Sequence, residues 1–262
     1  MKSKTISALP ACTFLLLLAA CQTSQKVPAP SAGGVTSITV KELNFYDSAR
    51  HRSIPVAYYV PSTDETGKAE KVVIFSHGYN QNKPGANKSY SYLTGALASR
   101  GYFVASIQHE LSGDSLLPMK GNVQETRRGN WERGSANILF VLNELKRLRP
   151  DLDFSHLILI GHSNGADMSL LFASKYPQLV DKVISLDNRR MAIPRVSHPR
   201  IYSLRSSDQL PDKDVLPTPQ EQQTYGMKII RLPHTIHNNM GNNGSSSQRA
   251  EIIRYVLGFV NE

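Results

Sequence analysis

The pentapeptide Gly161-His162-Ser163-Asn164-Gly165 stands directly behind four aliphatic residues, Leu157-Ile158-Leu159-Ile160. A short apolar run suits a strand buried on both faces, and glycines on either side of a serine suit a sharp turn into a helix. A serine hydroxyl attacks a carbonyl only when a base removes its proton and fixed donors receive the charge that develops on oxygen. A tight strand-to-helix bend lifts Ser163 clear of the core, and the helix N-terminus adds positive potential. The Asn164 amide then points at the developing oxyanion. A second donor is expected from the loop after an earlier parallel strand, where His77-Gly78-Tyr79 offers the Tyr79 amide. The chemistry that such residues would suit is acyl transfer. The plain competing reading is a structural turn at a helix start.

Such residues need a scaffold, and the apolar pattern outlines one. Residues 38–45 and 53–60 alternate as an antiparallel pair around a turn-rich segment. Compact apolar runs follow at 71–76, 102–107, 157–160, 182–186, 200–204 and 227–232, which makes eight strands in all. Helical patterns fall between or after them at 90–100, 131–149, 163–176 and 248–260, with Gly101, Pro150 and Pro177 as stops. Two antiparallel strands followed by alternating strand and helix predict an α/β fold, a mostly parallel eight-stranded sheet with helices on both faces. The segment between residues 186 and 200 is too short for a large lid. A chain of 262 residues suits one such domain, expected over 38–262.

Three motifs carry a family resemblance: Phe75-Ser76-His77-Gly78-Tyr79, Gly161-His162-Ser163-Asn164-Gly165 and His237-Asn238-Asn239-Met240. The chain resembles the α/β-hydrolase superfamily over nearly everything from Ile38 onward, and within it the dienelactone-hydrolase and acetylhydrolase-like esterases. That resemblance implies a triad in the order serine, acid, histidine. It places the acid after the strand at 200–204, where Asp208 lies, with Asp187 at the end of the preceding strand as the rival. It places the base after the last strand, where His234 and His237 both fall. Spacing does not separate the two, but the likeness of His237-Asn238-Asn239-Met240 to the His-Asn-Asp-Met stretch of related esterases favours His237. Asn239 stands where those relatives carry an acid.

The implied protein is a serine hydrolase that cleaves carboxylic esters of short or medium acyl groups, needs no cofactor, and takes a small-molecule ester as its partner. Its rival is a non-catalytic envelope lipoprotein that uses the same fold as a binding surface. His234 and His237 lack the glutamate or cysteine company of a metal site, so no metal is expected. Arg127, Arg128, Arg189 and Arg190 follow parallel strands, on the side where such sheets bind ligands, and are either substrate-anion holders or solvated surface groups. Trp131 and Tyr79 are either an apolar wall of the pocket or core. His51, His109, His156 and His198 are expected to be ordinary surface or loop residues.

The N-terminus points to the cell envelope. Lys2 and Lys4, a mostly apolar stretch at 9–20 and small residues before Cys21 form a leader over 1–20. Leu18-Ala19-Ala20-Cys21 resembles the lipobox of bacterial lipoproteins, which implies lipid on Cys21, and Gln22 resembles the pattern sorted to the outer membrane in Gram-negative bacteria. Cys12 is the only other cysteine and leaves with the leader, so no disulfide is expected. Residues 21–37 are rich in Gln, Ser, Pro, Ala and Gly and form a tether of about 20 Å. The net charge of +9 is scattered, with no basic motif of interleaved aromatics, so nucleic acid is not an expected partner. The oligomeric state is left open.

Overall fold

The computed structural model describes residues 37–61 and 70–262. The leader, Cys21 and all of the expected tether except Ser37 lie outside the described residues.

Eight strands form one sheet in the order β1-β2-β4-β3-β5-β6-β7-β8. β1 (Ile38–Asp47) and β2 (Arg52–Pro61) pair antiparallel, and β2 pairs antiparallel with β4 (Tyr102–Ile107). From there the sheet is parallel: β3 (Lys71–Ser76) lies between β4 and β5 (Asp153–His162), and β6 (Lys182–Leu186), β7 (Arg200–Arg205) and β8 (Lys228–Arg231) follow in turn. The expected α/β architecture is the one found.

Strand periodicity decides what covers the sheet. On β3, Val72 and Ile74 face one core while Val73 and Phe75 face the other, and Leu157 and Leu159 alternate with Ile158 and Ile160 in the same way on β5. The first core closes against α3 (Arg128–Leu148) through Ile138, Val141, Leu142 and Leu145, and against α4 (Asn164–Lys175) through Leu170 and Phe172. The second closes against α1 (Ser91–Ala98) through Leu93 and Leu97, and against α6 (Ser246–Asn261) through Ile252, Val256 and Phe259. Both faces being buried is why the parallel strands are unbroken apolar runs.

Two short helices, α2 (Val123–Thr126) and α5 (Pro219–Tyr225), are absent from the sequence-based outline. The second had a readable signal. Thr218 and Glu221 form a reciprocal capping box with Pro219 at the first helical position. β5 also starts earlier than its aliphatic run, because Asp153 pairs with Lys71 ahead of a register shift. Among the described residues no helix is long and apolar enough to cross a membrane.

Candidate active site

The parallel strands bring their C-terminal ends to one edge, and the chemistry-bearing residues gather there. Ser163 joins β5 to α4 with φ 52° and ψ −120°, a left-handed backbone that a serine adopts only at a cost of about 1–3 kcal/mol. Neighbours hold it in place: its N–H donates to the Leu186 carbonyl at 2.9 Å, and its own carbonyl accepts from the Asp167 N–H at 3.0 Å. Gly165 makes the bend possible. A Cβ there would stand 2.3 Å from the carbonyl oxygens of both Ser76 and His77.

Asp187 ends β6 in the same manner, with φ 57°. Its Oδ2 lies 2.5 Å from His237 Nδ1, and its Oδ1 accepts from the Ser206 N–H at 3.0 Å. The Arg205 guanidinium forms an ion pair with it at 2.9 Å. The carboxylate is fully buried. Burial pushes Asp187 up, but the imidazole hydrogen bond, the Arg205 charge and the Ser206 N–H outweigh it and leave the acid below its usual range. A carboxylate accepts, so Nδ1 of His237 carries the proton and Nε2 presents its lone pair. The Ser163 hydroxyl meets that nitrogen at 3.0 Å. A hydroxyl, an imidazole of fixed tautomer and an ionised carboxylate thus stand in line, the arrangement in which the imidazole can take a proton from serine.

The expectation that Asp208 meets the imidazole is corrected here. Asp208 is exposed, and its Oδ1 accepts the backbone N–H of His237 at 2.7 Å rather than a ring N–H. It fixes the loop while Asp187 touches the ring. His234 is exposed too, with its carbonyl bound by the Gln248 side chain at 2.6 Å, and it makes no contact with Ser163.

Of the two expected oxyanion donors, Asn164 follows Ser163 directly in the chain and Tyr79 lines the same cleft. Asn164 is the first residue of α4, so its N–H has no carbonyl one turn back inside the helix. Tyr79 follows β3, and no intramolecular hydrogen bond takes its N–H among the described residues. His77 sets this loop: Nδ1–H donates to the Gly78 carbonyl at 2.8 Å and Nε2 accepts the His109 N–H at 3.0 Å. Behind Asn164 lies a network that sequence patterns did not reveal. Its side-chain oxygen accepts from Trp131 Nε1 at 2.9 Å, and its side-chain nitrogen donates to Glu110 Oε1 at 3.0 Å and to Asn130 Oδ1 at 2.8 Å. Glu110 is buried, and its Oε2 lies 3.6 Å from His77 Nε2, so one carboxylate sits between both loops.

His162 makes a second link. Its Nε2–H donates to the His237 carbonyl at 3.2 Å, and its Nδ1 accepts from the Tyr90 hydroxyl at 2.7 Å, which in turn accepts the Gly78 N–H at 3.3 Å. Burial first, and then the nearby His237, lower the His162 imidazole to about 3, so it is neutral and its tautomer is fixed by these partners. Gly78 must lack a side chain, since a Cβ would come within 2.5 Å of His162 Nδ1.

Other expectations divide. Trp131 is core, packed on Met168 and Leu171, whereas Tyr79 lines the cleft in front of Ser163. His109 is buried rather than on the surface, with Nε2 at 3.0 Å from Ser76 Oγ. His51, His156 and His198 are exposed. None of the four arginines lines the cleft: Arg127 is buried against the Pro118 carbonyl, Arg128 pairs with Glu132, and Arg190 pairs with Asp212. Among the described residues no group of three or more His, Cys, Asp or Glu side chains is placed to hold a metal ion.

The alpha/beta hydrolase fold family matches residues 71–204, just over half of the chain. The chain belongs to that family. This α/β-hydrolase is also similar to solved structures. A fungal esterase from Rhizomucor miehei superposes with a TM-score of 0.64 at 13% identity, covering 87% of this chain and 83% of that one. A dienelactone hydrolase from Klebsiella pneumoniae, described as putative, gives 0.61 at 14% identity, over 87% of this chain and 100% of that one. Brefeldin A esterase, a bacterial homologue of human hormone-sensitive lipase, gives 0.60 at 11% identity, over 90% and 80%. At these identities the likeness is one of fold. Comparison with curated proteins gives no match.

Proposed function

We propose that this α/β-hydrolase is a serine esterase that cleaves carboxylic esters of short or medium acyl groups. Ser163 attacks the carbonyl while His237 Nε2 takes its proton, and Asp187 keeps the imidazole in the required tautomer and stabilises the imidazolium. The carbonyl oxygen, now negative, is received by the Tyr79 and Asn164 N–H groups. Collapse expels the alcohol, protonated by His237, and leaves an acyl group on Ser163. Water, deprotonated by the same imidazole, then releases the acid and restores the serine. The observation that carries this reading is the unbroken line from the Asp187 carboxylate through His237 to the Ser163 hydroxyl, at 2.5 and 3.0 Å. The esterases sharing the fold support it.

Hydrolysis of p-nitrophenyl acetate by the full chain tests it. Activity that disappears in Ser163→Ala is expected. A folded wild type as inert as that variant would favour the non-catalytic lipoprotein instead. Anchoring through Cys21 to the bacterial envelope belongs to the same proposal, supported by the lipobox-like leader. Mass spectrometry of the mature N-terminus should find Cys21 acylated, and a mature chain that begins elsewhere contradicts it.

A further inference from the structure

The walls of the cleft carry information about the alcohol half of the substrate. In front of Ser163 lies a cleft of about 220 Å³, below the range of about 300–1,000 Å³ in which drug-sized ligands bind. Among the described residues that line it, none has an aliphatic side chain and none is a lysine, arginine, aspartate or glutamate. Ligand pockets are ordinarily lined in the main by apolar side chains, so this is an unusual wall. Its polar groups are also available. The side chains of Asn80, Ser89 and Asn238 make no intramolecular hydrogen bond among the described residues, and each lines the cleft. Asn243, which also lines the cleft, is partly committed, its side-chain nitrogen donating to the Asn238 carbonyl at 2.6 Å. The Tyr79 ring adds a flat face whose hydroxyl is held by the Leu117 N–H at 3.1 Å.

We propose that the substrate is a short-chain acyl ester of an uncharged, polyhydroxylated alcohol, such as an O-acetylated sugar, whose hydroxyls are bound by Asn80, Ser89 and Asn238. This rests on the esterase reading above and names the substrate class for the same site. A long acyl or alkyl chain gains about fourfold in affinity for each methylene buried against apolar surface, and this cleft offers no aliphatic side chain and only the Tyr79 and Tyr90 rings for that purpose. A phosphate or carboxylate on the substrate would look for a cation, and among the described residues that line the cleft there is no lysine or arginine, while Arg127, Arg128 and Arg190 of the neighbouring loops are turned to other partners. Unbonded amides and a hydroxyl are matched instead by a ligand that donates and accepts at several adjacent positions, and an aromatic face is matched by the C–H face of a sugar ring. Water is the only co-reactant the reaction needs: it enters, the ester bond breaks, and acetate, a proton and the sugar with its free hydroxyl leave.

The test compares kcat/KM of the full-length protein for 6-O-acetylglucose, ethyl acetate and p-nitrophenyl esters from acetyl to octanoyl, alongside fluorophosphonate labelling. The expected result is at least a tenfold preference for the acetylated sugar over ethyl acetate and rates that fall beyond the shortest acyl groups. In Asn238→Leu and Asn80→Leu that preference should shrink by about tenfold, the loss of one hydrogen bond to a hydroxyl. The wild-type ratio decides the matter even where a variant fails to fold. Labelling of Ser163 together with equal rates on the two acetates, or with rates that climb with chain length, overturns this inference alone. No labelling and no ester cleaved overturns the esterase reading and this inference with it.

Discussion

Asp187 Oδ2 lies 2.5 Å from His237 Nδ1, and both residues sit just past the C-terminal ends of parallel strands, β6 for the acid and β8 for the imidazole. β7 runs between those strands and contributes Arg205 and Ser206, which hold the other carboxylate oxygen. Asp208 comes from the same loop as Ser206 yet meets the His237 backbone and not its ring. The contact is therefore set by the backbone turn at Asp187, whose positive φ directs the side chain along the sheet edge toward the next loop but one.

Replacing the two acids separately divides their roles. Asp187→Asn should lower kcat by about 10³–10⁴, because an amide no longer fixes the proton on Nδ1 or stabilises the imidazolium. Asp208→Asn keeps an oxygen for the His237 N–H and should cost less than about tenfold. Initial rates on p-nitrophenyl acetate compare them, and an equal loss in the two variants contradicts the assignment.

Glu110 is a positioning residue, and its loss should act through Asn164. In Glu110→Leu the Asn164 amide group loses one of its two acceptors and is held by Asn130 and Trp131 alone, so kcat should fall by about tenfold with KM within twofold. Glu110→Gln keeps an oxygen acceptor and should recover most of the rate. A leucine variant with normal kcat, or a glutamine variant no better than leucine, removes Glu110 from the account.

Gly165 is a steric requirement of the bend. A methyl group there meets two carbonyl oxygens at 2.3 Å, so Gly165→Ala should destabilise the fold by about 1–3 kcal/mol. Thermal unfolding would register a fall of several degrees in Tm. An unchanged Tm means that the backbone gives way without cost.

Asp167 offers a test by pH. It is buried on the first turn of α4, and burial pushes its carboxyl up to about 7 despite the N–H groups of Arg190 and Met191 and the charges of Arg127 and Arg190. The folded state then binds a proton that the unfolded state has already released, so this group's contribution is full below about pH 4 and is lost as pH rises through about 7. Asp167→Asn should remove that slope, a difference of a few kcal/mol across the window in denaturant titrations at several pH values. Parallel pH profiles for wild type and variant contradict it.

Much of this was legible in the sequence, because the fold and the turn that carries Ser163 depend on local patterns. Strands covered on both faces must be unbroken apolar runs, and the turn at Ser163 must have glycines where backbones meet. That His237 rather than His234 meets Ser163 was legible only by likeness, since the two share one loop and differ in whether the chain turns them inward. Which of the two candidate carboxylates meets the imidazole was not legible. Asp187 and Asp208 end adjacent strands, and only the dihedral angles at Asp187 show which carboxylate reaches the ring. Glu110, Asn130 and Trp131 were silent for a similar reason: they meet Asn164 from a separate loop and helix, a meeting that no periodicity encodes.

The central claim is that Ser163 is a nucleophile activated by His237, and covalent labelling tests it most directly. The full-length protein is treated with a fluorophosphonate, digested, and read by mass spectrometry. The account predicts one phosphonyl adduct on the peptide that carries Ser163, absent in Ser163→Ala and slowed by orders of magnitude in His237→Ala. A folded wild type that takes no label, or takes it equally without His237, contradicts it.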